Sequence, residues 1–468
     1  MRTIIKGGTV VNADGSTVAD VLIDGETIAA VGRGLAGSAL AEGVDRVIDA
    51  SGKLVIPGAI DVHTHMELPF GGTFAKDTFE TGTRAAAFDG TTTIIDFAVQ
   101  SRGKSLREGL DAWHAKAEGN ATIDYGFHMI MSDVNDDTLA EMDTLVAEGV
   151  TDFKLFTAYP GVFYSDDGAI YRAMQRTARN GGLIMMHAEN GMAIDVVAAD
   201  EVAAGHTDPY YHGIARYPSF EGEATNRVIR LAEAAGVPVY IVHLSARDAM
   251  DEVRAARDRG AMAFAETCPQ YLFLSLDDMG IEHGFDGAKF ICSPPLRTKD
   301  HAPELWKGLV TDDLQVVSTD HCPFDFHGQK DLGVGDFRKV PNGLPGVEDR
   351  VDLMHDGGVV GGHLTPERWV EIIATAPARM FGLAGRKGVV AAGADADLVI
   401  YDPARRHTIS ARTHHMNVDY SCYEGRSVIG GSDVVLSRGR VVVDQGEWRG
   451  EKGWGRFLKR QTAREYLR

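Results

Sequence analysis

The first histidines along this chain are His63 and His65, which close the apolar run Ala59-Ile60-Asp61-Val62-His63-Thr64-His65 and could together hold a metal. On an extended segment alternate side chains point to the same side, so the two imidazoles reach toward one point. Alone, the pair reads equally as two unrelated loop histidines. Four residues downstream change that. Lys154 lies inside Asp152-Phe153-Lys154-Leu155-Phe156, and His187 ends Met185-Met186-His187. His243 ends Tyr240-Ile241-Val242-His243, and Asp320 ends Val316-Val317-Ser318-Thr319-Asp320. Imidazole nitrogens with a carboxylate suit zinc and its divalent neighbours. An ammonium cannot ligate, and a buried unpaired lysine is costly. Carboxylation of the Lys154 amine by carbon dioxide would remove the conflict, leaving an anionic group with two oxygens that can bridge two metals.

Elements must bring these residues together. Eight apolar runs read as strands: Ala59–His65, Thr91–Phe97, Ile123–Met131, Thr151–Phe156, Leu183–His187, Val237–Leu244, Met262–Thr267 and Leu314–Thr319. Amphipathic, alanine-rich helical segments alternate with them, many stopping at a glycine such as Gly149, Gly181 or Gly236. That count is the one for an α/β (β/α)8 TIM-like barrel, whose active sites gather at the C-terminal strand ends. A doubly wound open sheet is the competing architecture. Against it, the first βα turn has no Gly-x-Gly-x-x-Gly fingerprint.

Short strands with turn signals fill residues 1–56 and return at Asp397–Tyr401, Asp433–Leu436 and Arg440–Val443. The economical division is a small β-sandwich domain built from both chain ends (1–56 and 386–447), with the barrel (57–385) inserted. The segment 448–468 differs in kind, with Arg449, Lys452, Arg456, Lys459, Arg460, Arg464 and Arg468 against Glu451 and Glu465. It reads either as a basic tail docking on an acidic surface, such as a neighbouring subunit, or as a frayed solvated terminus.

The 468 residues are 44% hydrophobic and 24% charged, as in ordinary globular proteins, with a net charge of −20. No basic excess is available for phosphates, which argues against a nucleic-acid partner. Cys268, Cys292, Cys322 and Cys422 form no CxxC pair and fit a reducing cytoplasm. No apolar stretch is long enough for a bilayer, and Met1–Gly8 lacks a signal-peptide core, so no membrane partner is expected.

With these residues in hand, the chain resembles the amidohydrolase superfamily and, more narrowly, the dihydropyrimidinase/hydantoinase family of cyclic amidohydrolases. The likeness runs through Val55–His65, Leu68-Pro69-Phe70-Gly71-Gly72-Thr73, His187-Ala188-Glu189-Asn190, Glu266-Thr267-Cys268-Pro269-Gln270-Tyr271, Ser293-Pro294-Pro295-Leu296-Arg297, Ser318–Phe324 and Pro341-Asn342-Gly343. It implies two divalent metals, zinc first, with manganese, cobalt or iron also compatible. His63, His65 and Asp320 would hold one, His187 and His243 the other, with carboxylated Lys154 (N6-carboxylysine) between them. His321 should point the other way and is not a ligand. A metal-bridging hydroxide would open the cyclic amide of a dihydropyrimidine or 5-substituted hydantoin to an N-carbamoyl amino acid, with Asp320 as proton shuttle. The resemblance gives Tyr159 to the substrate carbonyl and the backbones of Ser293 and Asn342 to the ring amide. Met66, Leu68, Phe70, Phe156 and Phe163 would line the pocket for the ring substituent. Dihydroorotase relatives have an arginine shortly after His-x-His, where this chain has Glu67, an acid expected to repel a carboxylate-bearing ring. Allantoinase is the nearest enzymatic alternative, and a metal-free scaffold the remote one. The family likeness also implies a homotetramer, with Gly453–Leu458 in a tail that contacts neighbours.

Overall fold

The computed structural model describes residues 1–467; Arg468, counted above in the basic tail, lies outside the described residues. One sheet is mixed and takes strands from both ends of the chain. Its central strand, Arg2–Asn12, spans the two predicted strands Thr3–Ile5 and Thr9–Val11, because a bulge between Ile5 and Gly8 bends the strand without ending it. Below the bulge it pairs in parallel with Arg46–Asp49, and above it with Leu54–Pro57. Leu54–Pro57 pairs on its other side with Leu398–Tyr401, which joins the C-terminal strands Ser432–Ser437 and Arg440–Asp444. Ile5, Val21, Ile23, Val55, Leu398, Ile400 and Leu436 share the core of this unit.

The second sheet is parallel and eight-stranded: β1 (Ala59–Thr64), β2 (Thr91–Val99), β3 (Asp124–Ile130), β4 (Asp152–Phe156), β5 (Leu183–His187), β6 (Val239–Ile241), β7 (Ala263–Thr267) and β8 (Val316–Val317). Helices alternate with them, as the barrel reading requires: α1 (Phe79–Phe88), α2 (Leu106–Ala117), α3 (Asp136–Glu148), α4 (Asp167–Asn180), α5 (Pro218–Ala235), α6 (Arg247–Asp258) and α7 (Ala302–Val310). Capping boxes start α1 at Thr78, α2 at Ser105 and α3 at Asn135. Gly149 and Gly181 end α3 and α4 in the left-handed region, at φ 97° and 83°.

The β8–β1 seam is the exception to regular pairing. β8 has two residues, and the barrel closes beyond it through a bridge between Thr64 and His321, with His65 N–H donating to the His321 carbonyl at 2.9 Å. Side chains supply the rest. Thr319 Oγ1 donates to Asp61 at 2.6 Å, and buried Arg350 donates to the carbonyls of Ile60 (3.2 Å) and Val317 (2.8 Å).

The N-terminal face of the barrel is sealed by the basic tail, so the frayed-terminus reading fails. The acidic surface it meets belongs to its own chain. Tyr125 N–H donates to the Arg456 carbonyl at 3.0 Å, and Leu458 N–H to the Tyr125 carbonyl at 2.7 Å. Fully buried Arg460 pairs with Asp152 and donates to the Phe127 carbonyl. Nearby, Lys387 bonds Asp124 at 2.8 Å and Asp395 at 3.0 Å, and Arg438 meets Asp124 at 3.0 Å, tying barrel to mixed sheet. The acidic cluster Asp124–Asp395–Asp397 is thus filled by its own cations and is no metal site.

Candidate active site

At the opposite, C-terminal face the six candidate ligands converge. Asp320 Oδ1 lies 3.1 Å from His63 Nε2 and 3.2 Å from His65 Nε2. Lys154 Nζ is 2.9 Å from His63 Nε2, and His187 Nδ1 faces His243 Nε2 at 3.0 Å. All six are buried. Short strands alone do not aim them. His243 and Asp320, just past β6 and β8, have φ of 40° and 53°, and Tyr159 beyond β4 has 60°. Left-handed backbone in non-glycine residues costs about 1–3 kcal/mol each and persists where surrounding packing enforces it.

Two buried carboxylates decide what the imidazoles can do. Glu266, the penultimate residue of β7, accepts from His63 Nδ1, and it also accepts from the Tyr240 hydroxyl (2.9 Å) and His243 N–H (3.2 Å). Glu189 Oε2 accepts from His187 Nε2 at 2.8 Å and from Arg216 at 2.8 Å. A nitrogen that donates outward leaves its ring partner with a lone pair turned inward. His63 Nε2 and His187 Nδ1 are the nitrogens that face the middle of the site, and in the neutral rings they carry the lone pair a metal ligand needs. The donor set fits divalent metal binding.

Burial and Lys154 would lower His63, but the Asp320 and Glu266 carboxylates on either side of it raise the ring overall, so a metal binding there would displace a proton. Burial pulls His65 down to about 3, Asp320 only partly opposing, and burial with neighbouring His187 takes His243 well below its usual range. Both rings are neutral at neutral pH. Burial would raise Asp320, but His63, His65 and His243 hold it ionised. Burial presses Lys154 down to about 8 against the opposing pull of Asp320 and Glu266. Tyr159 is raised, chiefly by burial, so its hydroxyl keeps its proton.

His65, Lys154, His187, His243 and Asp320 open on a narrow pocket with a cavity volume of about 50 Å³. Tyr159, Ser293 and Asn342 stand on its wall, with Leu68, Phe70, Phe156 and Phe163. Phe156 and Phe163 stack with centroids 4.9 Å apart, and Phe70 meets Tyr159 edge-on at 5.5 Å.

Chain comparison identifies the frame. The model of the amidohydrolase family matches residues 54–428. Over 466 residues the chain is 62% identical to the D-hydantoinase of Streptomyces coelicolor, covering 100% of this chain and 99% of that one. The chain belongs to the dihydropyrimidinase/hydantoinase family of cyclic amidohydrolases. It is 48% identical over 462 residues to the D-hydantoinase of Geobacillus stearothermophilus, covering 98% and 97% of the two chains. The crystal structure of dihydropyrimidinase from Brevibacillus agri superposes with a TM-score of 0.96 at 46% identity, covering 99% of each chain.

Within this hydantoinase frame two sequence expectations change. Met66 does not line the pocket. Its N–H donates to Asp96 at 2.8 Å, and its side chain packs on Gly82 of α1, where a Cβ would come within 2.3 Å of the sulfur. Glu67, at φ 53°, turns the same way, and its carboxylate accepts from Phe79 N–H at the start of α1. Repulsion by Glu67 therefore does not exclude carboxylate-bearing rings; what the loop lacks is an arginine to hold one. His321 points away as expected, Nδ1 accepting from Gly346 N–H (3.1 Å) and Nε2 meeting Asp77 at 3.0 Å. Glu266 and Glu189 had no assigned role in the sequence reading. Glu266 carried a signal, as an acid in register on a strand end of an otherwise apolar run.

Proposed function

We propose that this cyclic amidohydrolase opens 5-substituted hydantoins and dihydropyrimidines to N-carbamoyl amino acids, with an apolar or aromatic ring substituent preferred. The observation that carries this reading is one pocket with metal-ligand side chains on its floor and an aromatic wall of Phe70, Phe156 and Phe163 beside it. His63, His65 and Asp320 would hold one divalent ion and His187 with His243 a second, zinc being the first choice. Lys154, carboxylated on Nζ, would contribute to both. Such ions supply Lewis acidity and lower the pKa of water to near 7.

The chain's own groups do the rest. Tyr159 keeps its phenolic proton and donates it as a hydrogen bond to the carbonyl oxygen as negative charge develops, a contribution of about 3 kcal/mol for one such donor. The Ser293 and Asn342 backbone groups have no hydrogen-bond partner among the described residues, which leaves them for the ring amide. Asp320, ionised and central, accepts a proton from the attacking water and returns it to the leaving ring nitrogen.

The test combines metal analysis of purified protein with hydrolysis of 5,6-dihydrouracil and a 5-aryl hydantoin, followed by chiral analysis of the product. Loaded protein that opens both rings is expected; metal-free, inactive protein would overturn the reading. Asp320→Asn should lower turnover by roughly 10²-fold or more. Near-normal turnover in that variant would remove its proton-transfer role. A homotetramer in the cytoplasm, where the four buried thiols stay reduced, completes the proposal.

A further inference from the structure

Ser293 and Asn342 lie on segments without regular secondary structure, yet any backbone group that binds a ring must be held still. Carbonyls before and after Ser293 are bonded. Ile291 C=O accepts from Gly343 N–H at 3.0 Å, Cys292 C=O from buried His212 Nε2 at 2.8 Å, and Pro294 C=O from the Tyr271 hydroxyl at 2.8 Å. Asn342 Nδ2 donates to Ser293 Oγ at 2.9 Å, joining the two segments directly.

One side chain reaches both segments from outside the pocket. Lys330 is fully buried and has no carboxylate in ion-pairing reach among the described residues. Its Nζ donates to Ile291 C=O at 3.2 Å, two residues before Ser293, and to Pro341 C=O at 3.1 Å, one residue before Asn342. The residue before it, Gln329, donates to Thr73 Oγ1 (2.7 Å) and Phe74 C=O (2.9 Å), fixing the same turn to the hairpin that carries Phe70. A buried ammonium without a counter-ion is an expensive way to stabilise a fold.

We propose that Lys330 is a positioning residue for the hydrolytic reaction: it clamps the Ile291–Ser293 and Pro341–Asn342 segments in the spacing that presents their free backbone groups to the substrate ring. This rests on the reading that Ser293 and Asn342 hold the ring. Burial draws Lys330 down to about 7. The clamp does not depend on that titration, since the neutral amine still has two N–H groups for two carbonyls.

The test is Lys330→Met in the full-length, metal-loaded enzyme. Removing a binding contact common to ground and transition states raises KM with little change in kcat. KM for a 5-aryl hydantoin should rise roughly tenfold, the scale of one lost hydrogen-bonding contact. Metal content should stay at the wild-type level, and hydrogen exchange should quicken in peptides covering 289–294 and 340–344. A general loss of folding would instead lower kcat through the active fraction and leave KM alone. That pattern, or unchanged exchange in both peptides, would overturn the clamp. Faster exchange with unchanged KM would overturn the assignment of Ser293 and Asn342 to the ring, and the clamp's role in the reaction with it. Where the methionine variant does not accumulate, Lys330→Gln, able to reach one carbonyl, should show an intermediate KM; a wild-type KM would again overturn the proposal.

Discussion

His63 is held between two carboxylates with different tasks. Asp320 shares the face where a metal would sit, and Glu266 fixes the ring from behind. Partners of that second kind typically carry 10- to 100-fold in metal affinity. Glu266→Gln keeps the shape but can no longer accept His63 Nδ1–H as a charge. Its metal affinity, measured by chelator competition, should fall by about that range while the fold is retained; affinity within twofold of wild type would show that Glu266 does not set the tautomer. Neither Glu266 nor Glu189 was legible as a partner in the sequence. A carboxylate at a strand end looks alike whether it ligates, caps a helix or orients a histidine, and only the fold says which nitrogen it meets. Met66 and Glu67 were misread for a related reason. A single left-handed φ at Glu67 turns the chain, and no local pattern of apolar residues announces that turn.

At the level of elements, all eight barrel strands were legible, because each is an apolar run bounded by glycine or a polar turn. β8 was the least so in length: Leu314–Thr319 was expected and Val316–Val317 is regular. The seam there relies on Asp61, Thr319 and Arg350 in place of a ladder, and side chains of that kind leave no periodicity. A buried histidine also sets an acid limit. Burial lowers His212, whose Nε2 donates to the Cys292 carbonyl, to about 3. It is neutral in the fold and binds a proton when unfolded, with a reference value near 6.5. The unfolded chain therefore binds more protons below pH 6.5, and stability is lost as the pH falls from 6.5 toward 3. Thermal unfolding should show a falling Tm across that window, shallower in His212→Gln; parallel curves for the two proteins would assign the slope elsewhere.

On the scale of the whole molecule, the tail changes meaning. The family expectation gives it to a neighbouring subunit, but Arg460 is buried under its own barrel, where Asp152 depends on it. Leaving one member of such a buried pair unmatched costs about 3–5 kcal/mol. Truncation after Gly446 should therefore lower Tm markedly at any protein concentration. Light scattering on the same sample decides the second question. A mass that drops from tetramer to smaller species supports a role in assembly; an unchanged tetramer would confine the tail to the barrel's underside.

The mixed sheet has a consequence for biosynthesis. Leu54–Pro57 emerges from the ribosome early, yet its partner Leu398–Tyr401 follows the entire barrel. Throughout that interval the nascent chain carries a strand of apolar residues with one edge unsatisfied, the kind of edge that recruits other chains. Overproduction should therefore be limited by capture of that edge during synthesis, and slower translation or a holdase chaperone should raise soluble yield without altering the stability of the finished enzyme.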